Sequence, residues 1–307
     1  MTDATSPGNR PTLRLTHFGA AGWSITDGEM VFLLDPYLSR IRFKGRRFGP
    51  MDATEVPNDP RPVIPMDEPP VTDAATVDAR VPCADYVMLS HSHFNHCMDV
   101  PYIAKKTGAV VIGTESTVNV AINNGVPLEQ TLAVQGGEDY AFDKFSLRII
   151  PSLHSALSCK LYRDFGTIPA TTKPLSLDEY VEGGTLAYLL RFAGREILLF
   201  GSMNYIEREV EGLRPDIAFV AAAPPRLEIR DYTARLMHCL GCPPLVIATH
   251  WDDQGLPFGA PQDKALAQTG RFIDEVHATA PDSKVVVPLH FQTVVVDGKG
   301  GVTIEGP

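Results

Sequence analysis

The chain has 307 residues, of which 44% are hydrophobic and 21% charged, an ordinary globular composition at a length that buries a large core. That excludes a disordered protein, a collagen-like fibre and a small disulfide scaffold. Its 37 acidic side chains against 27 basic ones leave a net charge of −10, which disfavours duplex nucleic acid as a partner, because that association is driven by phosphate neutralisation.

Residues 1–11 are polar and read as a flexible lead, without the apolar stretch of a signal peptide. The remainder, 12–307, is expected to form a single domain. It opens with three strands at 12–18, 23–26 and 30–34, separated by Gly and Asp turn residues and stopped by Asp35-Pro36. Residues 40–80 break the pattern. Arg40, Arg42, Lys44, Arg46 and Arg47 crowd together with Phe43 and Phe48 nearby, and a proline-rich stretch follows. This reads as a long basic surface insertion.

From 85 onward the pattern is strand, loop, helix. Strands are expected at 85–90 and 109–113, and helices at 100–107 and 116–124, with Ser116 as N-cap and Gly125 at the stop. Further strands fall at 131–135, 145–151, 185–192 and 196–200, the last two joined by the tight turn Ala193-Gly194. The final third alternates helices at 205–212, 233–241 and 262–279 with strands at 216–221, 245–249, 284–289 and 293–296. Antiparallel strands followed by βαβ-like alternation predict two sheets with helices packed outside them. No apolar run reaches the roughly 20 residues that span a bilayer, and five scattered cysteines fit reduced thiols in a cytoplasmic protein.

Nine histidines carry the chemistry. Three stand in six residues, His91-Ser92-His93-Phe94-Asn95-His96, directly after the apolar strand at 85–90. A strand end delivers side chains to the edge of a sheet, where ligands bind. Clustered imidazoles repel one another when protonated, so a metal ion is the natural reason to collect them. His154 and His250 each stand just past another apolar strand and complete a set of five. His238 and His277 fall in helices, while His17 and His290 stand near strand ends.

With these residues in place, the chain resembles the metallo-β-lactamase superfamily, in the branch of ascorbate-phosphate lactonase and phospholipase-D-type hydrolases. The family signature is His-x-His-x-Asp-His after a strand, then a distant His, an Asp and a last His. The order matches from Leu13 to about Val296, and Thr16-His17-Phe18-Gly19 and Leu33-Leu34-Asp35-Pro36 also look like this branch. The resemblance implies an α/β fold, a four-layer αββα sandwich with the metal site at one edge. It places His91, His93 and His154 at a first metal position, Asn95, His96 and His250 at a second, and Ser202 at the bridging position. Asp35 falls where the family orients a ligand from behind.

Two departures matter, because the aspartates of the family are here Asn95 and Ser202. Two divalent ions held by neutral donors alone repel strongly. One Zn2+ on three histidines is therefore expected rather than two, with Mn2+ or Fe2+ as other candidates. Asn95 can orient water but cannot act as a base. Asp99 and Asp252, beside the ligand positions, are the candidate bases, with Asp253 next to the latter. Cys97 and Cys159 lie near ligand positions but read as buried thiols, and Cys239-Leu240-Gly241-Cys242 reads as packing at a helix end.

The expected reaction is hydrolysis of an ester, lactone or phosphodiester bond by a metal-bound hydroxide. Arg42 and Arg46 would hold the anionic part of a small-molecule substrate. The alternative is a catalytically weakened or non-catalytic member of the fold that binds a small ligand or a protein partner. Neither a nucleic-acid partner nor an integral membrane segment is expected, and a homo-oligomer is compatible with the sequence.

Overall fold

Strand residues in this chain alternate between two buried faces. In β12 (Arg195–Phe200), Ile197 and Leu199 enter one core while Leu198 and Phe200 enter another. Burial on both faces is what a sheet covered on both sides requires. A computed structural model describes residues 10–43, 56, 58–157, 160, 162 and 164–307.

The first sheet has eight strands. Its antiparallel half comprises β1 (Leu13–Gly19), β2 (Gly22–Thr26), β3 (Val31–Leu34), β16 (Thr293–Val296) and β17 (Val302–Glu305). Next to β3 run the parallel strands β6 (Tyr86–Met88), β7 (Val110–Gly113) and β8 (Thr131–Ala133). The second sheet has seven strands. β9 (Asp139–Ala141), β10 (Ser146–Pro151), β11 (Leu186–Phe192) and β12 are antiparallel, and β13 (Ile217–Ala221), β14 (Leu245–Thr249) and β15 (Lys284–Val286) continue in parallel.

The two sheets face each other across a core that includes Trp23, Phe32, Tyr188, Leu199 and Phe219. Helices α1 (Ala74–Arg80), α3 (Val100–Thr107) and α4 (Glu115–Asn123) cover the first sheet through Val77, Ile103 and Val120. Helices α5 (Glu207–Val210), α6 (Tyr232–Cys239) and α7 (Asp263–Thr279) cover the second through Val210, Leu236, Phe272 and Val276. Hence the four layers are α, β, β, α, as expected.

Several expectations are corrected. Helix α4 begins one residue earlier, with Thr114 rather than Ser116 as N-cap, because Ser116 Oγ accepts the Ile168 N–H instead. Only one turn of the expected helix at 205–212 forms. β9 and β17 were not expected; both are short, with exposed positions and no apolar run to mark them.

The expected basic surface insertion is partly interior. Within it Arg40, Ile41 and Val77 are buried, and β4 (Arg42–Phe43) pairs with β5 (Val63–Ile64). Lys44, Arg46, Arg47 and Phe48 lie outside the described residues, as does Cys159. Among the described residues, no helix is long and apolar enough to cross a membrane.

Candidate metal centre

The site collects at one edge of the two sheets, beyond the ends of β3, β6, β10, β12 and β14. Each contributes through the residues that follow it: Asp35, the 90–97 segment with α2 (Phe94–Cys97), His154, Ser202 and His250. Carboxyl ends of parallel strands are where α/β sheets bind ligands.

Asp35 organises two of the histidines from behind. Its carboxylate accepts the Ser90 N–H (2.7 Å), the Ser90 hydroxyl (2.5 Å) and His96 Nδ1 (2.9 Å). Because the Ser90 hydroxyl donates to Asp35, it accepts from His91 Nδ1 at 3.0 Å. Both rings thus carry their proton on Nδ1, and their Nε2 lone pairs remain for an electrophile. His154 reaches the same state differently, donating Nδ1–H to its neighbour's carbonyl, Ser155 O, at 3.0 Å. Gly201 permits this packing, since a Cβ there would overlap the Ser90 hydroxyl and the Asp35 carboxylate.

The ligand nitrogens of His91, His93 and His154 lie within 4.8 Å of one another. His91 Nε2 is buried and has no hydrogen-bond partner among the described residues. Burial first, and then the neighbouring imidazoles, push the His91 pKa well below the ordinary value. The same causes lower His154 to about 4 and His250 to about 3. A cluster of neutral imidazoles with an orphaned buried lone pair fits a divalent metal.

The second set of residues is looser. The His96 and His250 ring centres are 5.4 Å apart. His250 has a left-handed backbone (φ 49°), and its N–H bonds to Ala20 O at 2.9 Å. Asn95 donates its amide N–H to Gln254 Oε1 at 2.7 Å, and Ser202 Oγ accepts the Ser155 N–H at 2.9 Å.

The candidate bases do not meet their expected role. Asp99 is buried away from the cavity. It accepts the Leu38 and Ser39 N–H groups (2.8 and 2.9 Å) and the Ser39 hydroxyl (2.5 Å), with a pKa raised by burial. It anchors the chain after β3. Asp252 does line the cavity but is ion-paired with Arg40, and His290 Nε2 lies 2.8 Å from its carboxylate. Burial would raise its carboxyl, yet the Arg40 guanidinium and the hydrogen bond with His290 outweigh burial and hold it well below the usual range, which makes it a weak base. Cys97 is a thiol pushed up by burial, and it donates to the Ser92 and His93 carbonyls.

Over the histidines lies a cavity of about 450 Å³. His93, Asn95, His96, His154, Ser202 and His250 line its inner side, and Tyr37, Phe43, Phe94, Met203, Pro224 and Trp251 form apolar walls. Lys264 and Gln268, from the first turns of α7, complete the wall. Arg42 is not among the lining residues. Its neighbour Phe43 is, because successive residues of a strand face opposite sides. Gln254, Ser90 and Arg40 had no local signal in the sequence, since each acts through a partner far along the chain. His17 and His290, read as strand-end histidines, instead flank the Arg40–Asp252 pair.

The beta-lactamase superfamily domain matches residues 14–250. A UPF0173 metal-dependent hydrolase of Pyrobaculum aerophilum is 29% identical over 146 residues, 47% of this chain and 52% of that protein. The chain thus spans about half the length of the curated relatives it matches. Among solved structures, Igni18, a metallo hydrolase from Ignicoccus hospitalis, superposes with a TM-score of 0.56 at 16% identity, over 93% of this chain and 99% of that one. The diiron β-hydroxylase CmlA from Streptomyces venezuelae gives 0.54 at 13% identity, over 92% of this chain and 53% of that one. One architecture therefore carries hydrolytic and oxidative chemistry alike, and the residues of the site must decide between them.

Proposed function

Because the chain belongs to the beta-lactamase superfamily, we propose that it is a metal-dependent hydrolase of a small amphipathic molecule, acting on an ester, lactone or phosphodiester bond. The observation that carries this reading is the trio His91, His93 and His154, whose ligand atoms converge while His91 Nε2 stays buried without a hydrogen-bond partner among the described residues. When bound there, a divalent ion would supply Lewis acidity and bring the pKa of coordinated water toward neutrality.

The chain's own residues would do the rest. Asp35 and Ser90 hold His96 and His91 in one tautomer. The apolar walls exclude water and receive the apolar body of the substrate, and Lys264 faces its anionic group. Asn95, fixed by Gln254, offers an amide where a carboxylate would otherwise accept a proton. That substitution supports a slow hydrolase holding one Zn2+. It is also the observation that favours the second reading, a ligand-binding member of the fold without turnover. The cysteines at positions 83, 97, 239 and 242, which form no disulfide among the described residues, are compatible with a cytoplasmic setting.

The test is element analysis of protein purified without added ions, followed by a panel of p-nitrophenyl esters, lactones and bis(p-nitrophenyl) phosphate. About one zinc per chain and turnover abolished by chelator are expected. Folded protein that takes up no zinc would refute the proposal. Zinc uptake without turnover would move the case to the second reading.

A further inference from the structure

Arg40 is 1% exposed, although it opens a run of basic residues. Its guanidinium lies against Gly19, where a Cβ would overlap it and where the backbone φ of +92° also favours glycine. Nη2 pairs with Asp252 Oδ2 and lies 2.7 Å from His290 Nε2, which is itself 2.8 Å from that carboxylate oxygen. Nη1 donates to Asp253 O at 3.3 Å, and Cζ sits 4.7 Å from the centre of the Phe258 ring. The other Asp252 oxygen accepts the Ala20 N–H at 2.8 Å, and Ala20 O accepts the His250 N–H at 2.9 Å. A continuous chain of contacts therefore runs from Arg40 through Asp252 and Ala20 to His250.

Arg61 adds a second tie, donating to Arg40 O and, at 2.8 Å, to Gly255 O. A buried ion pair contributes little net stability, because desolvation offsets attraction; its best-attested use is to select one register. Here the selected register is that of the loop after β14, where His250 holds a left-handed backbone that needs support from its surroundings.

We propose that Arg40 is a positioning residue: by gripping Asp252 it holds the 250–255 loop so that His250 turns toward the histidine cluster. It also joins that loop to the 37–43 segment, which carries Tyr37 and Phe43 of the cavity wall. The part concerning the metal rests on the functional reading above; the placement of His250 does not.

The first measurement is made on metal-free protein by long-range 1H–15N spectra of the histidine rings, with the His250 signals assigned from His250→Ala. In Arg40→Ala the His250 signals are expected to shift while those of His93 and His154 stay, and Arg40→Lys should restore them in part. Unchanged His250 signals in Arg40→Ala would overturn the proposal. Should Arg40→Ala fail to fold, Arg40→Lys carries the test alone through a smaller shift of the same ring, and no shift there counts against the proposal.

The second measurement follows Co2+ binding through its visible bands. Arg40→Ala should reproduce the spectrum of His250→Ala, with affinity lowered about tenfold, and the double variant should add nothing further. Altered bands in His250→Ala but not in Arg40→Ala would refute the positioning role. A wild-type chain that binds no cobalt would instead sink the metal reading, and the ring spectra would then decide the role of Arg40 on their own.

Discussion

The two halves of the candidate metal centre are built differently. His91 and His93 follow β6 of the first sheet and His154 follows β10 of the second, and the Nδ1 atoms of His91 and His154 are bound by short-range partners, Ser90 and Ser155. His96 depends on a carboxylate far back along the chain, and His250 on one two residues on that acts through the distant backbone of Ala20. Asp35 holds His96, and Asp252 steadies the loop of His250 through Ala20. The first half rests mainly on where two strands end, with Asp35 behind His91 through Ser90, whereas the second needs loops kept in register by buried charge. Negative charge is present in both cases: Asp35 stands behind the rings, and Asp252, although it lines the cavity, is paired with Arg40, while Asn95 and Ser202 on the same lining carry no charge.

Removing His91 breaks the first half outright. His91→Ala is expected to abolish metal uptake and all turnover, read by element analysis and an ester assay; zinc still bound stoichiometrically would erase the distinction between the halves. Asp35→Asn should weaken both halves at once, since it loosens His96 directly and His91 through Ser90. Partners behind metal ligands are worth about 10- to 100-fold in affinity, and chelator competition measures the loss.

Acid separates the halves less sharply. His17 and His154 are lowered to about 4 and His250 to about 3, whereas the unfolded chain protonates near 6.5. Between these values the unfolded state binds more protons, so stability is complete above pH 6.5 and lost as pH falls. At pH 5 each such imidazole costs about 2 kcal/mol. Metal-free protein should therefore melt progressively lower from pH 6.5 to 4.5 in calorimetry, and a flat profile would contradict burial of neutral rings.

The smallest effect should come from Asn95→Asp, which supplies one of the missing carboxylates. Metal stoichiometry should rise from about one toward two ions per chain. Stoichiometry already at two in the native chain would show that neutral donors suffice.

Much of this arrangement could be read from residue order. Apolar runs ending in histidine located His91, His154 and His250, and the strand 245–249 and helix 100–107 have the expected bounds. What escaped was set by distant partners. Nothing near Arg40 signals that its charge is met by Asp252, 212 positions away, or near Asn95 that Gln254 would receive its amide. Asp99 looked catalytic by adjacency, but Ser39 and Leu38 claim its oxygens. Ser116 resembled a cap until Ile168, 52 residues on, took its hydroxyl.

The order of strands at the flank of the first sheet bears on how this protein can be cut. β1 is bordered by β16, with Leu13 opposite Val296 and Thr16 opposite Thr293. The stretch recognisable as the superfamily domain ends at residue 250, ahead of α7, β15, β16 and β17. A fragment trimmed to that recognisable stretch would leave β1 with a bare row of backbone donors and acceptors and would strip Phe272 and Val276 from the second sheet. Such an edge invites pairing with other chains, so shortened versions should precipitate where the full chain stays dispersed.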